Sequence, residues 1–170
     1  SRLTQDEQVT HITLWSLLAA PLLVGCDLTK LDPFTIDLLC NDEVIDVNQD
    51  PLGKQAKRVR QQGLWTLTAH RLLDGSPIEE LLGDAPPTWG EVWARSLFDG
   101  TLVVGLFNRG DAAGPISVTW PMLDIEGPQP VRDLWMREDL DEIDGAMAVE
   151  VPSHGAAMFK IGRPNPDAEP

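Results

Sequence analysis

Asp27 follows directly on the apolar run Leu22–Cys26, where a carboxylate at the end of a buried strand could meet a substrate. Barrels of alternating strands and helices carry their chemistry at such strand ends. Asp32, Asp46 and Asp50 come soon after. Two of these carboxylates brought together could act as nucleophile and general acid/base. Each also has a simpler use. Asp27 can cap the turn behind it. Asp32 precedes Pro33 and suits a helix N-cap. Asp46 and Asp50 can bond to local backbone. Asp139, Asp141, Glu142 and Asp144 read as a solvated acidic loop between strands, with an adventitious calcium contact as the alternative; their spacing is not that of an EF-hand.

Little other chemistry is encoded. Cys26 and Cys40 fit no zinc spacing, and His11, His70 and His154 stand alone, so no metal site is expected. Both cysteines end apolar segments and are expected to be buried free thiols. Ser153 and His154 have no third group for a triad. Gly105 and Gly110 do not form a phosphate loop, and no cofactor is expected. Six tryptophans (15, 65, 89, 93, 120 and 135) could offer sugar-stacking faces. Trp93, Trp120 and Trp135 lie in alternating runs, which favours core packing.

Composition bounds the partners. The chain has 170 residues, 42% of them hydrophobic and 24% charged, with a net charge of −14. That charge argues against nucleic acid and anionic membrane surfaces. The apolar run from Ile12 to Cys26 contains Pro21 and is too short to span a bilayer. Ser1 opens directly onto a helix cap with no signal peptide in view, and the chain reads as beginning inside something larger.

The elements that must position these groups fall into two regions. Thr4 and Glu7 form a capping box. Val9, Ile12, Trp15, Leu18 and Ala19 then recur at helical spacing until Pro21. Leu22–Cys26 reads as a strand buried on both faces, 32–40 as a helix, and 41–53 as a structured exit segment. The lone parallel strand has no partner nearby, and unpaired buried backbone is costly. Residues 1–50 are therefore expected either to fold back or to promote association. Beyond Gly53 the pattern turns antiparallel. Asp99 and Gly100 mark a hairpin between Glu91–Leu97 and Leu102–Phe107. Strands are expected at 115–120, 130–135, 146–151 and 156–161, as in a sandwich. Residues 62–88 read as an insertion with a short helix at 77–82, and 163–170 as a disordered tail.

Leu3, Thr4, Asp6, Glu7, Thr10 and His11, then Leu14 and Trp15, Ala20–Leu23, Cys26–Leu28, Asn41–Ile45 and Asn48–Gly53 resemble the distal part of the melibiase-type α-galactosidases. So, in the same order, do Val92–Arg95, Val104–Arg109, Val131–Trp135 and Val151–Gly155. The resemblance covers about residues 2–60 and 90–161, and the Asn48–Gly53 run carries it most sharply. It implies the last βα unit of a (β/α)8 barrel followed by an antiparallel Greek-key-type β-sandwich. Residues 4–20 become the seventh barrel helix, 22–26 the eighth strand and 32–40 the eighth helix. The implied division is 1–53 for the barrel piece, 54–162 for the sandwich and 163–170 for the tail.

The implied activity is retaining hydrolysis of terminal α-galactosyl residues. The family's nucleophile motif Lys-x-Asp, its acid/base aspartate on a later strand and its Trp-Asn-Asp-Pro-Asp motif are all absent from these residues. No catalytic residue is therefore assigned, and the chain is expected to be inactive by itself. Cys26 and Asp27 are the candidates for contact with sugar at the barrel rim. The expected partners are an α-galactoside and, through the exposed barrel segment, a second copy of the chain. The alternative reading is a non-catalytic carbohydrate-binding or interaction module built on the sandwich.

Overall fold

Thr4 caps the first helix, accepting from the Glu7 N–H, while Glu7 accepts from the Thr4 N–H at 2.7 Å. In the computed structural model, which describes residues 2–62 and 90–168, this helix (α1) spans Gln5–Leu17. Asp32 caps α2 (Pro33–Leu39) and Asn41 caps α3 (Asp42–Asn48), each through its side chain. The third helix replaces the expected exit segment: Val44 and Val47 are three apart and both buried, which is helical spacing.

Eight strands follow, β1 (Lys57–Gln62), β2 (Gly90–Ser96), β3 (Leu102–Asn108), β4 (Gly114–Thr119), β5 (Gln129–Asp133), β6 (Glu138–Ile143), β7 (Ala146–Val151) and β8 (Ala156–Ile161). They form a six-stranded sheet in the order β1-β2-β3-β8-β5-β6 and a two-stranded sheet β4-β7, antiparallel at every pairing. The β2–β3 hairpin turns at Gly100, whose φ of 82° suits glycine. Expected strands and observed strands agree at β2, β3, β4, β5, β7 and β8. The insertion at 62–88 lies, beyond Gln62, outside the described residues, as do the helix at 77–82, Trp65, Trp89 and His70.

Two cores flank the large sheet. One lies between the sheets and includes Val104, Leu106, Ile116, Val118, Trp120 and Phe159. The other lies beneath α1 and α3 and includes Leu17, Val44, Val47, Val103, Leu134 and Met158. β3 and β8 are thus covered on both faces, and α1 folds back onto the sandwich. Gly105 of β3 makes this possible. A Cβ there would lie 2.4 Å from Leu17 Cδ1, so the bare glycine gives Leu17 its seat.

Three expectations are corrected. Leu22–Cys26 is not a strand: residues 21–25 have no regular structure, and Leu23 and Val24 are 86% and 53% exposed. No neighbouring strand offers a ladder to it, and an unpaired parallel strand has nothing to hold it. Cys26 and Cys40 are exposed rather than buried, because nothing covers the 22–26 segment and α2 buries only Leu38. The acidic stretch at Asp139, Asp141 and Glu142 is the edge strand β6, with only Asp144 in the turn beyond it. Edge strands commonly carry charge, which blocks further pairing. Residues 163–168 contain no helix or strand, and Asn165 N–H donates to Asp99 O at 2.7 Å.

Candidate functional site

The segment that carries Cys26 and Asp27 leaves the end of α1 and crosses one side of a groove. Its walls are α1, α2, α3 and the segment itself, with Ile12, Trp15, Leu22, Leu23 and Leu39 among them. The groove encloses about 570 Å³. Helix α1 is apolar on two sides. Leu17 packs on the sheet, while Trp15 turns to the groove. Thr13 and Ser16 are small enough to let α1 approach the sheet closely, and Thr13 Oγ1 accepts from the Trp135 indole at 2.9 Å.

Asp27 lies at the mouth of this region, exposed, as the cap of a short 3-10 turn over Leu28–Lys30. Its Oδ1 accepts from the Thr29 hydroxyl at 2.7 Å and the Thr29 N–H at 3.1 Å, and Lys30 stands 3.3 Å away. The Thr29 hydroxyl, the Thr29 amide and then Lys30 hold its carboxyl below the ordinary range. Asp32 is lowered in the same direction, first by the Thr35 amide and then by its hydroxyl. A general acid at neutral pH needs the opposite, a raised pKa. Both carboxylates are used as caps, as the simpler reading of each residue expects.

Asp46 is exposed on α3. Asp50 does more than bond locally. It accepts from Leu52 N–H at 3.2 Å and Phe98 N–H at 2.8 Å, and pairs with the fully buried Arg95 at 3.3 Å. Arg95 also reaches Ser16 O at 3.4 Å, at the C-terminal end of α1, where the helix dipole favours a cation. This tie was not anticipated. Its sequence signal is an arginine within an alternating strand, placed two residues from Trp93. Asn48 was equally unmarked; it is buried and donates to two carbonyls at the end of α1.

On the sandwich, Trp120 is buried in the core between the sheets, and Trp93 and Trp135 pack half-buried against the helix-side core. Core packing therefore holds for all three. Ser153 donates to Gly110 O, whereas His154 Nε2 meets Asp111 at 3.1 Å, so serine and histidine are turned to different partners. Among the described residues no group of three or more His, Cys, Asp or Glu could hold a metal ion.

Residues 2–50, which hold α1 to α3, match the family model described as alpha galactosidase A, and residues 89–161 match the alpha galactosidase C-terminal beta sandwich domain. The chain belongs to the melibiase-type α-galactosidase family, in its C-terminal part. Alpha-galactosidase 2 of Arabidopsis thaliana is 33% identical over 163 residues, which is 95% of this chain and 35% of that protein. The alpha-galactosidase of Cyamopsis tetragonoloba is 32% identical over 161 residues, 94% of this chain and 33% of that protein. Among solved structures, alpha-galactosidase I from Mortierella vinacea is similar with a TM-score of 0.73 and 28% identity, over 94% of this chain and 36% of its own. A GH27 β-L-arabinopyranosidase from Geobacillus stearothermophilus is similar at 0.76 and 28%, over 95% and 31%. The chain thus spans about a third of the length of these α-galactosidase relatives. Within the family pattern, α1 to α3 and the rim segment fall in the enzyme model, and β2 to β8 fall in the sandwich model.

Proposed function

We propose that this chain is the C-terminal part of an α-galactosidase-like retaining glycoside hydrolase acting on terminal α-galactosyl residues, and that by itself it turns over no substrate. The observation that carries this reading is the rim segment. It follows α1 in family order, its Leu23 and Val24 are exposed beside an apolar groove, and its carboxylates serve as caps. Retaining cleavage takes two carboxyl groups about 5–5.5 Å apart, one of them able to give a proton. Such a pair would come from a barrel joined to this chain or bound by it.

In this reading residues 1–53 close the barrel, residues 54–162 brace it, and 163–170 form the tail. Cys26 and Asp27 stand at the rim facing the sugar. The exposed groove residues also give the isolated chain a route to self-association, since contiguous exposed apolar surface drives contact between copies.

The test is a chimera in which this chain replaces the corresponding third of the Mortierella vinacea enzyme. Hydrolysis of p-nitrophenyl α-galactoside by the folded chimera, with none by the isolated chain, supports the reading. A folded chimera without activity contradicts it. Galactose binding by the isolated chain without turnover, lost on replacing a half-exposed tryptophan, would instead favour the sandwich as a binding module.

A further inference from the structure

The end of α1 is built around a residue in an unfavourable conformation. Ala19 has φ 48°, in the left-handed region that glycine usually fills. The Ala19 N–H donates to Ser16 O at 3.0 Å and the Ala20 N–H to Trp15 O at 3.4 Å, the paired bonds of a Schellman motif. Side chains hold this turn from outside. Asn48, buried at the end of α3, donates from Nδ2 to Ala20 O at 2.8 Å and Trp15 O at 3.4 Å. The Trp15 indole N–H donates to Pro21 O at 3.0 Å.

These bonds have a directional consequence. The carbonyls of Trp15 and Ala20 can share one amide donor only if the chain leaves α1 along a single path. Without that donor, two carbonyl oxygens would face each other in a buried place with a bond unmade. The rim segment starts at the next residue and is in neither sheet, so its heading is set here. The same end of α1 is tied to the sandwich, through Arg95 on Ser16 O and through Asp50, two residues beyond Asn48.

We infer that Asn48 and Trp15 are positioning residues, which fix the direction in which the chain leaves α1 and so place Cys26 and Asp27 relative to the sandwich. That this placement serves sugar cleavage rests on the function proposed above; the clamp itself does not.

Asn48→Asp keeps the side-chain shape and removes both donors. In the 170-residue chain it is expected to lower hydrogen-exchange protection of the Ala20 amide and the Trp15 indole proton about tenfold or more, leaving β3 and β8 amides unchanged. Unchanged protection at Ala20 and Trp15 overturns the clamp. Asn48→Gln keeps the donor on a longer arm and should recover part of the protection, which a loss of packing alone would not explain. In the active chimera, Asn48→Asp is expected to lower kcat/KM for p-nitrophenyl α-galactoside about tenfold, chiefly through KM. Unchanged kcat/KM there overturns the claim that the clamp places the site. An inactive wild-type chimera counts against the proposed function, and the exchange result then decides the clamp alone.

Discussion

Substitution Gly105→Ala tests how α1 is seated on the sandwich. The added Cβ would lie 2.4 Å from Leu17 Cδ1 and 2.8 Å from Phe107 Cε2, both closer than real Cβ contacts. Leu17 is fully buried and Phe107 nearly so, so neither can swing away into solvent. Overpacking of this kind costs about 1–3 kcal/mol. For a chain of this size each kcal/mol lowers Tm by about 2–4 °C, so a drop of about 2–12 °C is expected. Leu17→Ala empties the seat instead, at about 2–5 kcal/mol. In the double variant the new methyl partly fills the space that Leu17 vacated. Its destabilisation should therefore fall short of the sum of the single effects by about 1 kcal/mol or more. Urea unfolding followed by tryptophan fluorescence gives all four corners of the cycle. Additivity within about 0.5 kcal/mol would refute the reasoning, because it would mean that the two side-chain positions do not meet.

Other outcomes follow from single contacts. Ala19→Gly should raise stability by about 0.5–1 kcal/mol in the same urea assay, since it removes left-handed strain against a smaller entropic loss; a decrease would show that Ala19 is not strained. Asp50→Ala leaves the Arg95 guanidinium buried without its carboxylate and should cost about 3–5 kcal/mol, with Asp50→Asn milder; a loss below about 1 kcal/mol would contradict the pairing. Acid stability should depend on Asp99. Partial burial pushes its carboxyl up, but Lys160 at 2.7 Å with the Thr101 hydroxyl and amide outweigh that and hold it below the ordinary value. A group so depressed stabilises fully above its unfolded value of about 3.9, and that share is lost as pH falls through the folded value. Tm should therefore drop on acidification below about pH 4, and Asp99→Asn should drop less steeply; parallel slopes would remove Asp99 from the account.

Much of the fold was readable because local signals and packing agree. The Thr4–Glu7 box, the Asp32–Pro33 start and the Asp99–Gly100 turn each need only neighbours in sequence, and each stands where expected. Leu22–Cys26 shows the opposite case. Its composition suits a strand, but a strand also needs a ladder partner, and composition does not say whether one is present. β6 was hidden because its residues are charged on both faces around Leu140 and Ile143, as an edge strand permits. α3 was hidden because Val44, Ile45 and Val47 can be counted either by alternation or by helical spacing; the Asn41 cap and burial of Val44 and Val47 decide for the helix. At the site, the capping roles of Asp27 and Asp32 were legible from neighbouring residues. The Asn48 and Arg95 contacts were not, because each joins positions more than thirty residues apart.

The central claim is that these residues supply the closing part of an α-galactosidase-like enzyme and not its reacting carboxylates. The most direct measurement is release of p-nitrophenol from p-nitrophenyl α-galactoside by the purified 170-residue chain, beside the chimera that carries the Mortierella vinacea barrel. The account predicts no release above buffer from the chain and turnover from the chimera. Turnover by the chain alone, abolished by replacing one of its own aspartates, would contradict it.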